Sequence, residues 1–358
     1  MPTLDLTASS IDITRAICDV PSVSGDETTL ADLIDAAVRP LDHLEVFRDG
    51  DTIVARTMRG RPQRVVIAGH IDTVPINDNL PTREEHVDGE AVLWGRGTVD
   101  MKAGVAVQLK LAAEFTDPRI DITWMWYDHE EVDADLNGLT RLARTRPDLF
   151  AGDFAILGEP TGGAVEGGCN GNMRVIVRTH GVRSHSARAW IGENAIHRAA
   201  PVLSRLAEYR PREVPVDGLV YREGLNAVRI GGGVAGNVIP DLCEIEVNYR
   251  FAPSRSTEDA ERHVRDVFAG FEVDVIDVAA GARPGLDASL AQEFVAAVGA
   301  EARPKYGWTD VARFSAMGVP AVNYGPGDPH LAHHDQERVP LAQIVDVERG
   351  LRAWLSAP

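Results

Sequence analysis

Residues 65–75, VVIAGHIDTVP, constrain this chain more than any other stretch. A β-branched run, Val65-Val66-Ile67, passes through small residues and then presents His70 and Asp72. Residues two apart on a strand point to the same side, so both side chains can reach one site. An imidazole beside a carboxylate is a common way to build a metal ligand: one ring nitrogen binds the ion, and the carboxylate sets tautomer and orientation. A half-buried strand with a polar exit is the plainer reading of the same residues, and only the rest of the chain separates the two.

The pattern on either side is an alternation of strands and helices. Helical spacing over 11–20 is closed by Pro21 and followed by the turn SVSGDE (22–27) and a helix over 28–38. Strands are expected at 44–47 and 52–56, as a hairpin around Asp49-Gly50, and at 64–69. Residues 76–90 read as a long polar loop, and LWGRGTVDMKAG (93–104) as a glycine-bearing loop. Its Asp100 opens an apolar-rich helix over 101–115, where capping is an ordinary duty for Asp. A buried-type strand over 120–127 runs into Asp128-His129-Glu130-Glu131. A helix follows over 138–146, and a strand over 153–157 runs into Gly158-Glu159-Pro160-Thr161. Such alternation implies a largely parallel sheet with helices on both faces.

The character changes near Gly167. Strand 173–179, helix 194–206, strands 226–231 and 237–252, helix 257–269 and strand 271–277 follow the β-α-β-β-α-β order of a ferredoxin-like unit. The α/β pattern then resumes with helices at 286–300 and 310–317, a strand at 321–324 and a last helix at 341–355. The expected fold is therefore α/β: a mixed, mostly parallel sheet flanked by helices, built from 1–171 and 284–358. An inserted ferredoxin-like α+β domain is expected at 172–283.

At 358 residues the chain has room for two such domains. A net charge of −18 argues against nucleic acid and anionic membrane as partners, while a local arginine cluster could still hold an anionic small substrate. Cys18, Cys169 and Cys243 are far apart and show no CxxC spacing. Disulfides and thiolate zinc sites are not expected, and a cytoplasmic location is. The N-terminal MPTLDLTASSID has no signal-peptide pattern, and no apolar run approaches the roughly 18 residues of a membrane span.

Four polar clusters fall in succession at strand ends or at a helix start: His70/Asp72, Asp100, Glu130/Glu131 and Glu159. Open α/β sheets place ligand sites at the carboxyl ends of their strands. A fifth cluster, GPGDPHLAHHDQERV (325–339), adds His330, His333 and His334. Histidines with carboxylates and no cysteine describe a divalent site in which zinc is the default and cobalt or manganese also fit. More donors than one zinc needs suggest a pair of ions. Of Glu130 and Glu131, one can ligate while its neighbour moves a proton.

Taken in order, GHIDTVP, GRGTVDMKAG, the Glu130-Glu131 pair, GEPT and HHDQERV resemble the dinuclear zinc amidohydrolases of the aminoacylase–carnosinase–carboxypeptidase clan. The resemblance implies two zinc ions per subunit, with Co2+ a possible substitute. His70 and Glu159 would hold one, Glu131 and His333 the other, and Asp100 would bridge them. It implies that Asp72 orients His70 and that Glu130 serves as general base and then general acid. His333 is chosen over His334 because the clan's last motif is His, three residues, then Glu, and Glu337 completes it. GVRSHSA (181–187) resembles the insert's motif, which implies that His185 stabilises an oxyanion in the partner subunit's site and that the insert mediates a homodimer. GWTDVARF (307–314), GNVIPDLCEIEVNYRF (236–251) and the 325–339 loop resemble the succinyl-diaminopimelate desuccinylases of actinobacterial type. Arg250, Asn237 and Thr309 are then the expected substrate contacts; Arg174, Arg188 and Arg313 are weaker candidates that read more readily as ordinary surface arginines. The loop GCNGN (168–172) lacks the arginine pair that some members of that group have there. The expected activity is hydrolysis of N-succinyl-LL-2,6-diaminopimelate, with acetylornithine deacetylation, other N-acyl amino-acid hydrolysis and dipeptide cleavage as alternatives within the clan.

Overall fold

Strand Arg64–His70, all but its first residue buried, lies inside an eight-stranded sheet of the computed structural model, which describes residues 3–357. The sheet runs Glu45–Asp49, Thr52–Arg56, Asp121–Tyr127, Arg64–His70, Phe154–Leu157, Ala321–Asn323, Val165–Gly167, Ala302–Pro304. Arg64–His70 pairs in parallel with Asp121–Tyr127 on one side and Phe154–Leu157 on the other, and Ala321–Asn323 continues in parallel. Strands covered on both faces read as continuous apolar runs, and DITWMWY and FAIL are buried at every position. The mixed, mostly parallel sheet is the one that the strand–helix alternation implies.

Helix Lys102–Glu114 has buried residues on all sides, since it packs against the sheet and against helices Ser10–Cys18 and Leu341–Leu355. A Cβ on its Gly104 would lie 2.2 Å from the Gly158 carbonyl oxygen. Only glycine lets this helix press against the strand end that leads into Glu159.

Three sequence-based expectations are corrected here. The stretch 76–90 is not wholly loop: Arg83–Val87 turns at Asp88-Gly89 into Glu90–Trp94, and Arg338–Pro340 completes a three-stranded antiparallel sheet. The charged run REEHV has no apolar alternation to betray a strand, but Asp-Gly is a strong hairpin signal. Asp100 does not cap the following helix, which begins after Met101 without a side-chain cap. The helix expected at 194–206 is two, Ala195–Arg198 and Ala200–Glu208, with Pro201 in the first turn of the second.

By its contacts the chain divides into two units. The sheet, apart from its last residue Pro304, and the helices above belong to Met1–Gly167, Pro284–Arg303 and Arg313–Pro358. The second unit comprises Gly168–Arg283 and Pro304–Ala312. Its four-stranded antiparallel sheet runs Gly224–Gly232, Leu242–Phe251, Gly171–His180, Glu272–Ala279, the ferredoxin-like order. One sheet face packs Val175, Val177, Ile245 and Val247 with Val202 and Val264 of its helices and with Phe268, just past the second of them. A hairpin, Glu213–Val216 with Leu219–Arg222, adds a small core of Val216, Tyr221 and Ala252. Among the described residues no helix is long and apolar enough to cross a membrane.

Candidate metal centre

Parallel register assembles the first unit's polar strand exits. His70 stands opposite Tyr127, and Ala68 opposite Leu157. Two residues beyond Leu157 comes Glu159, which is buried, and three and four beyond Tyr127 come Glu130 and Glu131. The His70 imidazole is fully buried. Its Nδ1–H donates to the Asp72 backbone carbonyl at 3.0 Å and lies 3.4 Å from Asp72 Oδ1. A carbonyl only accepts, so the neutral ring carries its proton on Nδ1 and keeps the Nε2 lone pair for a ligand.

Nε2 of His70 lies 3.1 Å from Asp100 Oδ1, while Nε2 of His333 lies 3.3 Å from Asp100 Oδ2 and 2.9 Å from Glu131 Oε1. Each oxygen of Asp100 thus faces a different imidazole. Ligand atoms of His70, Asp100 and Glu131 all lie within 4.8 Å of one another. His333 reaches this position from a left-handed backbone, φ 62°. His334 turns its Nδ1 to the Gln336 N–H at 3.0 Å.

The electrostatics fit a cation. Burial opposes a charge on His70, yet bonds to Asp100 and Asp72 raise its pKa well above that of a free imidazole. Bonds to Asp100 and Glu131 push His333 up to about 10. Burial would raise Asp100, but both imidazoles hold it well below the usual carboxylate range. The negative field that draws protons to these rings also favours a divalent ion, and two imidazoles with several carboxylates form a zinc-type donor set.

Asp72 does more than face His70. Its Oδ1 accepts the Glu130 N–H at 3.0 Å; its Oδ2 accepts the Glu131 N–H at 3.0 Å and the Ser24 hydroxyl at 2.6 Å. Burial works against its charge, but His70, Ser24 and the Glu131 amide lower its pKa to about 2. Asp72 therefore joins the His70 strand to the turn carrying both glutamates.

Glu337, noticed in the sequence only as the end of a motif, is a buried anchor. Its Oε1 accepts the N–H groups of Val99 and Asp100 at 2.9 and 3.1 Å, and its Oε2 accepts from Arg96 at 2.8 Å. Arg96 Nε donates in turn to the Pro75 carbonyl at 3.2 Å. These bonds hold together the loops carrying His70, Asp100 and His333. Arg96 stands outside the expected set of site residues; its one trace in the sequence is a charge among the glycines of GRGTVD.

The other expected residues lie in the second unit. His185 and Asn237 are neighbours there: His185 pairs with Val238 across a short bridge, and the Ser186 N–H donates to the Asn237 carbonyl at 2.9 Å. His185 Nδ1 accepts from the Ala187 N–H at 3.0 Å, which leaves the ring proton on Nε2 as a donor. Arg250 stands opposite Asn172 in the sheet, and its Nε donates to Asn248 at 3.2 Å. Thr309 is buried.

Residues 66–357 match the model of peptidase family M20/M25/M40. The chain belongs to this family. The M20 chain is 51% identical over 355 residues to a Mycobacterium tuberculosis (strain H37Rv) protein provisionally named succinyl-diaminopimelate desuccinylase DapE, covering 98% of this chain and 99% of that one. It is 48% identical over 366 residues to the succinyl-diaminopimelate desuccinylase of Corynebacterium glutamicum, covering 99% and 98%. Among solved structures, a tripeptidase from Staphylococcus aureus superposes with TM-score 0.78 at 20% identity, covering 99% of this chain and 98% of that one. The M20 family metallo-carboxypeptidase Sso-CP2 from Sulfolobus solfataricus superposes with TM-score 0.74 at 14% identity, covering 97% and 98%. At those identities the two structures speak to the M20 fold alone.

Proposed function

We propose that this M20 enzyme hydrolyses the amide bond of N-succinyl-LL-2,6-diaminopimelate to succinate and LL-2,6-diaminopimelate. The observation that carries the chemistry is Asp100, whose two oxygens face two imidazoles beside Glu131. Identity of 48–51% over nearly the whole length to the two desuccinylases supports the substrate.

In this reading His70 and Glu159 would hold one zinc ion and Glu131 and His333 a second, with Asp100 shared between them. When bound, the pair supplies Lewis acidity at the scissile carbonyl and a lowered pKa for the attacking water. Glu130 takes the proton as the water oxygen bonds to the carbonyl carbon, then delivers it to the leaving nitrogen as the C–N bond breaks. His185, with its proton on Nε2, donates to the tetrahedral oxyanion. Arg250 and Asn237 bind substrate carboxylates, for which a guanidinium is suited, and Thr309 contributes a further contact.

The second unit is the proposed lid and homodimer element. Its edge strand Gly224–Gly232 is exposed along most of its length and carries exposed Val228 and Ile230; Trp190, 80% exposed, and Ile191 also lie on this unit. An open strand edge with apolar side chains is a natural seat for a second copy. The three cysteines are free and buried, which suits a reducing compartment such as the cytoplasm.

The test is a panel of N-succinyl-diaminopimelate, N-acetylornithine and dipeptides, run with metal analysis on the same zinc- or cobalt-loaded sample. The expected outcome is preference for the succinyl substrate with two ions per chain. Preference for N-acetylornithine or a dipeptide would overturn the substrate; a single ion with full activity would overturn the paired site.

A further inference from the structure

The turn bearing Glu130 is held by residues distant in sequence. His129, between the buried strand Asp121–Tyr127 and the glutamate pair, has φ 59°. A residue with a side chain takes that left-handed conformation when its surroundings impose it. Three successive backbone N–H groups of this turn end on carboxylates. His129 N–H donates to Glu27 Oε1 at 3.1 Å, and those of Glu130 and Glu131 donate to the two oxygens of Asp72 at 3.0 Å each. The other oxygen of Glu27 accepts the Gly25 N–H at 2.9 Å, and the Ser24 hydroxyl donates to Asp72 at 2.6 Å. Glu27 precedes helix Thr28–Val38 but makes no side-chain cap, and it is fully buried. The segment that supplies Ser24 and Glu27 is laced to the strand exit after His70: Ser24 N–H donates to Thr73 O at 3.1 Å and Thr73 N–H to Ser22 O at 2.9 Å.

We propose that the turn at residues 24–27 is a positioning element for the catalytic base, in which Glu27 fixes the His129 amide and Ser24 fixes Asp72, so that together they set the backbone from which Glu130 and Glu131 project. This rests on the reading of Glu130 as the base. Glu27 and Ser24 touch no reacting atom; they act through the turn. The segment SVSGDE then has a duty beyond starting a helix.

Glu27→Gln keeps the side-chain volume but turns an NH2 group toward one of two N–H donors, so one bond becomes a donor–donor contact. Displacing a reacting group by about 1 Å lowers rate on the order of 100-fold. The expected result is a kcat lower by about 10–100-fold with KM changed by less than about twofold. Metal content should match the parent enzyme, and hydrogen exchange of the amides in 127–132 should be faster by about tenfold. Ser24→Ala should move the same readouts in the same direction, and Ser24→Thr, which keeps the hydroxyl, should restore them. Should Glu27→Gln not fold, the Ser24 pair decides by the same measurements. Unchanged kcat, a loss matched by loss of bound metal or of folded protein, or unchanged amide exchange would each overturn the proposal. Glu130→Gln separates the two readings: full activity in that variant removes the base assignment, whereas the exchange measurement reports on the turn whatever the base is.

Discussion

The buried pair Arg96–Glu337 offers the sharpest quantitative test. The side chains are only 4% and 1% exposed, and the ion pair spans 2.8 Å. Removing one member leaves the other charge inside the protein, which costs about 3–5 kcal/mol. Arg96→Met keeps an apolar stem but leaves Glu337 with the Val99 and Asp100 N–H donors alone. Glu337→Gln keeps one acceptor for those donors but strands the guanidinium. At about 2–4 °C per kcal/mol for a unit of this size, either change should lower the thermal midpoint by about 6–20 °C. The double variant has no uncompensated charge, so it should be more stable than either single variant, a coupling of at least about 3 kcal/mol. Glu337 also sets the amides around Asp100, so the single variants should weaken metal affinity by about 10–100-fold. Thermal melts of the four proteins, metal-stripped and metal-loaded, with metal titration, supply every quantity. Additive losses in the double variant, or single losses below about 1 kcal/mol, would refute the reasoning.

Two further outcomes are expected. Burial would raise the pKa of Asp121, but the Arg59 and Arg61 N–H groups, the Thr57 hydroxyl and Arg64 outweigh it and hold the carboxyl below its ordinary 3.8. Its stabilisation is therefore present above pH 3.8 and is lost as pH falls through the lower folded value, so Asp121→Asn should flatten the acid limb of a melting-temperature profile; a limb as steep as the parent's would count against it. His185→Ala should lower kcat by about 100-fold and leave metal content unchanged, as loss of one oxyanion donor does; equal loss of metal would point to folding instead.

What the sequence reveals and what it hides follow from the range over which each residue acts. His70 announces itself because its strand is parallel and buried on both faces, so a polar residue at its end has few ordinary reasons to be there. The same holds for Glu159 after FAIL and for Glu130-Glu131 after DITWMWY. The short strand Arg83–Val87 stayed hidden because its register is set by the Asp88-Gly89 turn and not by apolar alternation.

The anchors are a harder case, and they explain why a list of ligand types is not yet a site. Glu27 acts on an amide 102 residues away, and Arg96 on a carboxylate 241 residues away. Neither interaction leaves a local pattern: a glutamate before a helix passes for helix chemistry, and an arginine in a glycine loop passes for a solvated one. Yet these are the residues that determine where Asp100 and the Glu130-Glu131 turn stand before any ion or substrate arrives. Asp72 bridges the two cases. Its spacing from His70 was legible, but its reach to the Glu130 and Glu131 amides needed the register of Arg64–His70 against Asp121–Tyr127. One carboxylate thereby orients a proposed ligand and the backbone of the proposed base. Removal of the Asp72 carboxylate, whose Oδ1 faces His70, should accordingly change metal affinity and kcat together, whereas Glu27→Gln, or loss of the Ser24 hydroxyl on Oδ2, should change kcat alone, and that contrast separates the ligand frame from the base frame within one unit.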